Sequence, residues 1–242
     1  MKQLPLVFDL RLFVYLALGF VAFTVLGTLT HESGHYFVSR WFGYNSKIHY
    51  AYNTTEWYTR DEQKFMLLIT KKYSEQLRSN QPFPGKECFY RIVNRESKQY
   101  IWIIFGGPLQ TMVTGTIGLI LMIVLRKRYF SADRLVFWQW LLVFISLFWL
   151  RQAANFAVGS ALYILAAKRH FIGDEFKIDR FFHLPVGITW VMTAVIATIV
   201  LLVVIFKFIP IKQRLTFISA GLAGGVSGYI FWLVLFGKMI MP

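Results

Sequence analysis

The chain has 242 residues, of which 56% are hydrophobic, 18% aromatic and only 16% charged, a composition that excludes an ordinary soluble domain. Its formal charge of +14 would suit a nucleic-acid partner in a soluble protein, but here the bases collect at the ends of apolar segments, as in Arg126-Lys127-Arg128 and Lys168-Arg169. That is how membrane helices meet anionic lipid, so the expected partner is a lipid bilayer and not nucleic acid.

Residues 10–30 are almost entirely apolar and about as long as a bilayer core requires. Without the short tripartite pattern of a cleavable signal, this segment is expected to be retained as a helix. It runs into His31-Glu32-Ser33-Gly34-His35, an H-E-x-x-H motif, and extends toward Phe42. At i, i+4 on a helix the two histidines share a face and can grip one ion, and the glutamate beside them can act as general base. Three ionisable side chains at a membrane helix are costly, and a metal site is the function that accounts for them.

From 44 to 99 the chain turns polar and charged. Pro82-Phe83-Pro84-Gly85 is a turn signal, 61–77 reads as helical, and Ile48-His49-Tyr50-Ala51-Tyr52 reads as a short strand with Phe89-Tyr90-Arg91-Ile92-Val93 as a possible partner. Apolar segments follow at about 100–125, 135–167, 186–208 and 215–236. The single cysteine, Cys88, excludes an intramolecular disulfide. The expected fold is an all-α, multi-pass membrane protein of the cell membrane. It would be a polytopic bundle of about five transmembrane segments with a small surface subdomain that allows a short β-hairpin. The parts are 1–43, the first helix with the motif; 44–99, the surface subdomain; 100–185, core helices two and three with a third-ligand loop; and 186–242, two accessory helices.

A catalytic zinc takes three protein ligands and leaves a position for water, so His31 and His35 need a third. Counting crossings from the N-terminal face, the motif, the surface loop and the stretch after the third segment share one side. Asp9 and Asp133 fall on the other. Asp174 is the best candidate, with Glu175 the runner-up, and Asp61, His170 and His183 as further options. The assignment requires the third segment to be one span. At about 33 residues it would be roughly 50 Å long as a straight helix, so it must tilt, break or protrude, and Arg151, Gln152 and Asn155 lie in its middle.

Two stretches resemble the site-2 protease family of intramembrane metalloproteases. One is His31-Glu32-Ser33-Gly34-His35-Tyr36-Phe37-Val38-Ser39-Arg40-Trp41-Phe42-Gly43, similar to the family's motif helix. The other is Gly106-Gly107-Pro108-Leu109-Gln110, similar to the Gly-Pro element that opens a core helix there. The resemblance implies one catalytic zinc held by His31 and His35, Glu32 activating water, and peptide-bond hydrolysis in a membrane-protein substrate. The chain departs from the family in having no Asp-Gly pair, Gly173-Asp174-Glu175 being nearest, and in carrying Thr111 where asparagine is common. Gly107, Pro108 and Asn155 are candidates for structural or substrate-positioning roles. A metal transporter or sensor using the same ligands, or a non-catalytic scaffold, are the rival readings, and loss or persistence of function in Glu32→Gln separates them from the protease.

Overall fold

The computed structural model describes residues 7–165 and 173–242. Helix α1 spans Leu10–Trp41, started by Asp9, whose Oδ1 accepts from the Leu12 amide at 3.0 Å. It ends in a Schellman arrangement: Gly43 at φ +83 donates to the Arg40 carbonyl and Tyr44 to that of Ser39. A two-stranded antiparallel hairpin follows, β1 (Asn45–Ile48) with β2 (Asn53–Glu56), in the register Asn45↔Glu56 to Ile48↔Asn53. Helices α2 (Arg60–Lys72) and α3 (Ser74–Ser79) complete the surface region. Of the expected strand 48–52, Ile48 ends β1 and 49–52 form the hairpin turn, closed by His49 N–H to the Tyr52 carbonyl. Its expected partner 89–93 is helical, because α4 begins at Lys86 and runs to Val124. The second span therefore starts well before residue 100 and shares its first turns with the surface region.

After the short α5 (Arg126–Phe130), the third apolar segment is α6 (Phe137–Ser146), a 3₁₀ turn at Leu147–Trp149 and α7 (Leu150–Leu165). Helix α8 (Asp174–Phe181) leads to α9 (Ile188–Val203) with a π turn to Phe208, then α10 (Ile211–Tyr229), a second π turn at Ile230–Phe236 and α11 (Gly237–Ile240). Five helical stretches are long and apolar enough to cross a membrane: Leu10–Trp41, Lys86–Val124, Phe137–Leu165, Ile188–Phe208 and Ile211–Ile240. The distribution of side chains agrees with lipid as solvent. Leu18, Val124, Val191 and Leu222 are exposed, whereas His31, Glu32, Gln139, Gln152 and Gln213 are buried.

Small residues let the bundle close. Along α10, a Cβ on Gly224 or Gly228 would run into Ala17 or Thr24 of α1. On its other flank α1 meets α4 backbone to backbone at Gly34 and Gly106, where a Cβ on either would overlap the opposing carbonyl group. That second contact lies between the two histidines of the motif and sets the site.

Candidate metal centre

His31 and His35 are one turn apart on α1 and both buried, as is Glu32 between them. The three offer ligand atoms within 4.8 Å of one another, a group that could hold a metal ion. Asp174 joins them from the first position of α8. Its Oδ2 lies 3.2 Å from His31 Nε2 and 3.2 Å from His35 Nε2, and the two nitrogens are 3.3 Å apart. Two imidazole nitrogens and a carboxylate oxygen converge here in a buried space that could hold a shared cation. For a four-coordinate zinc with ligand bonds of about 2.0–2.1 Å, the edge of the tetrahedron is about 3.3 Å, so the three atoms match one tetrahedral face. Glu32 lies beside this triangle, its carboxylate within 4.8 Å of the histidine nitrogens.

The supporting shell is built by α4. Pro108, which cannot donate to the Ile104 carbonyl, interrupts the ladder in mid-helix, and it does so without ending the helix. Expected as a helix start, it is buried in the interior of a 39-residue helix instead. One residue upstream of Ile104, the Ile103 carbonyl accepts from His35 Nδ1 at 2.7 Å. With its proton on Nδ1, His35 presents a lone pair at Nε2 to the centre of the triangle. Gly107 is required by space: a Cβ there would lie 2.6 Å from His31 Nε2 and closer still to His35 Nε2.

Two anchors fix α8 so that Asp174 arrives in place. Ile178 packs with Ile101 and Ile104 of α4. Asp179, fully buried, accepts from the Gly187 amide at 2.7 Å, the Thr189 amide at 3.1 Å and the Thr189 hydroxyl, tying α8 to the start of the fourth span. Burial works against the Asp174 carboxylate, but its contacts with His31 and His35 outweigh this and hold the carboxyl well below the usual range. The other oxygen, Oδ1, pairs with Lys177 at 3.3 Å.

The remaining sequence candidates separate from the cluster. Glu175 is buried, its carboxyl raised by desolvation, and it contributes no atom to the triangle. Asp61 is exposed in the first turn of α2, and His183 is exposed at the end of α8 with φ +54. Asn155 faces outward on α7. His170 lies outside the described residues. Sequence reasoning missed Gly34 and Ile103, the first a close-approach glycine inside the motif itself and the second a backbone acceptor that no side-chain pattern announces.

No protein-family model, curated protein or solved structure matches this chain.

Proposed function

We propose that this protein is an intramembrane metalloprotease of site-2-protease type, hydrolysing a peptide bond in or near a transmembrane segment of another membrane protein with one catalytic zinc. The observation that carries this reading is the triangle of His31 Nε2, His35 Nε2 and Asp174 Oδ2 beside the buried Glu32, on a helix of membrane-spanning length. The donor set of two imidazoles and one carboxylate is that of catalytic zinc.

Zinc, when bound, supplies the Lewis acidity that acidifies water and polarises a carbonyl. The chain supplies the rest. His31, His35 and Asp174 hold the ion. Glu32 takes a proton from the attacking water and returns it to the leaving amine as the peptide bond breaks. Gly107 keeps the face above the histidines free of side chain. A substrate helix hides its carbonyls in internal hydrogen bonds and must unwind first. The hairpin, tied to α1 through Ser39 and Thr55 at 3.2 Å one turn past His35, offers a strand edge along which an unwound segment can pair.

The test is cleavage of a co-expressed single-span substrate by the parent and by Glu32→Gln. Cleavage is expected to fall by about 10²- to 10⁴-fold in the variant while bound zinc stays at one per chain. Undiminished cleavage in Glu32→Gln, or a parent without metal after repletion with zinc, would overturn the assignment.

A further inference from the structure

Addition of water to a peptide carbonyl places a negative charge on the carbonyl oxygen, and an efficient site aims a fixed donor at it. None of the residues assigned so far does so: the two histidines face the ion, Asp174 and Glu32 are acceptors, and Thr111 donates to the Pro108 carbonyl of its own helix at 2.9 Å. On α1, α4 and α7 several polar side chains have buried atoms with no partner among the described residues: His31 Nδ1, Gln110 Oε1, Arg151 Nε and both amide atoms of Gln152. Their chemistry sorts them. His31 is a ligand. Gln110 donates one amide N–H to the Thr114 hydroxyl at 3.1 Å, and the atom it keeps buried without a partner, Oε1, is an acceptor. Gln152 is sealed on both amide atoms, out of reach of an incoming chain. Arg151 remains.

Arg151 sits in the first turn of α7, directly after the 3₁₀ turn Leu147–Trp149 that packs on α4. Trp149 fixes the register: its ring fills the notch at Gly115, and its Nε1 donates to Thr116 at 3.1 Å. Counting back along α4 from Gly115 to Gly107, and forward from Trp149 to Arg151, puts the Arg151 backbone about 9 Å below the level of the histidines. An extended arginine side chain is long enough to span most of that distance. Its charge acts on the carboxyl groups of Glu32, Asp174 and Glu175, and on His31. It nevertheless closes no ion pair with any of the three, the partners of Asp174 being His31, His35 and Lys177. A guanidinium kept only as a counterion in a low-dielectric interior would form the bidentate pair that its planar fork is shaped for. Arg151 holds off instead. Only its Nε is sealed, which leaves its terminal nitrogens as the accessible donors.

We propose that Arg151 is a catalytic residue of this site, donating from its terminal nitrogens to the oxyanion that forms on the scissile carbonyl. The inference rests on the hydrolytic reading above. In the step it serves, Glu32 removes a proton from water, the water oxygen bonds to the carbonyl carbon, and the carbonyl π pair moves onto its oxygen opposite Arg151. The C–N bond then breaks, the carbonyl re-forms, and the proton passes from Glu32 to the leaving nitrogen. The guanidinium stays protonated throughout.

The experiment compares the full chain, purified in detergent and loaded with zinc, with Arg151→Met and Arg151→Lys. Four quantities are measured: zinc per chain, kcat/KM on a single-span substrate, affinity for that substrate in the Glu32→Gln background, and affinity for a phosphinic peptide built on the cleavage sequence, whose anionic tetrahedral centre imitates the oxyanion. Arg151→Met is expected to keep its zinc and its substrate affinity. Its kcat/KM falls by about 10²- to 10³-fold and its affinity for the phosphinic peptide falls by a similar factor. Arg151→Lys, which keeps the charge but loses the fork, recovers part of both. It also serves as the measuring variant should Arg151→Met not fold.

Loss of zinc in step with activity would make Arg151 a counterion of the metal site and overturn the proposal. Equal weakening of substrate and phosphinic peptide would make it a ground-state positioning group, with the same consequence. A parent that cleaves while Arg151→Met cleaves as fast removes this inference alone. A parent that binds zinc and is indistinguishable from Glu32→Gln removes the hydrolytic reading, and this one with it.

Discussion

The bundle buries polar side chains near both of its ends, and it treats them in opposite ways. At the end where α5 meets α6 they are committed to backbone. Tyr129 donates to the Gln139 carbonyl at 3.0 Å, Gln139 bridges the Val136 amide and the Arg128 carbonyl, Gln213 accepts from the Leu135 amide at 2.9 Å, and the Thr216 hydroxyl accepts from the Asp9 amide at 3.0 Å. The bonds to the Val136, Leu135 and Asp9 amides and to the Arg128 carbonyl satisfy groups that helix termini leave open. At the motif end, His31, Gln110, Arg151 and Gln152 keep buried atoms without a described partner. Only Trp140 Nε1 blurs the contrast, being unpartnered on α6. Unsatisfied polar atoms in a membrane interior are expensive, so their concentration in the half of the bundle that holds the histidines points to that half for work with a ligand.

The largest expected effect comes from filling space at the working end. Gly107→Ala adds one methyl group, placed where His31 and His35 present Nε2. The histidines must swing out of the triangle, and zinc affinity is expected to fall by at least about 10- to 100-fold, with cleavage lost in proportion. Gly225→Ala is the matched control, since a Cβ there meets nothing within 4 Å. Zinc content and cleavage measured on both variants decide it: equal zinc in the two would mean that the triangle is not the metal site.

How far this site was legible in sequence follows from the same contrast. The spans and the H-E-x-x-H face could be read because length and i, i+4 spacing are local properties. Asp174 could be read because counting membrane crossings leaves few acids on the right side, and α6 to α7 forms one span with its irregular turn at Leu147–Trp149. The hairpin was misplaced for physical reasons. Phe89, Ile92 and Val93 are spaced i, i+3, i+4, which suits the helix they form as well as a short apolar strand. The actual second strand, Asn-Thr-Thr-Glu, has no apolar alternation to find. Nor does sequence separate Arg151 from Asn155. Four apart on α7, they share a helix face and differ in burial, Arg151 being partly covered and Asn155 exposed, which depends on what packs at each level and not on local sequence.

At the quiet end the same kind of substitution should touch stability and nothing else. Gln139→Leu keeps the volume nearly constant but strands the Val136 amide and the Arg128 carbonyl. A loss of about 1–3 kcal/mol of stability is expected, read from unfolding in mixed micelles, with zinc content and cleavage per folded molecule unchanged. A fall in specific activity would break the division between the two ends.

The smallest effect belongs to the water-facing region, where polar groups have an alternative partner in solvent. Thr59 and Glu62 form a capping box at the start of α2, and Arg95 grips both oxygens of Glu62, at 2.9 and 3.1 Å. The hydrogen bonds from Arg95, then that from the Thr59 amide, lower the Glu62 carboxyl below its ordinary value. A depressed carboxyl contributes stability that is fully present above its unfolded pKa, about 4.3, and is lost as pH falls through the lower folded value. Glu62→Gln keeps the capping interaction, which glutamine also makes, and removes only the charge. Because Arg95 is substantially exposed, the pair is screened, and the variant should lose no more than about 0.2–1 kcal/mol at neutral pH. That difference should shrink in high salt and vanish on acidification. A difference that persisted at low pH would mean that shape rather than charge is what Glu62 contributes. A difference of several kcal/mol would place this pair with the buried groups of the bundle instead of with the solvated ones.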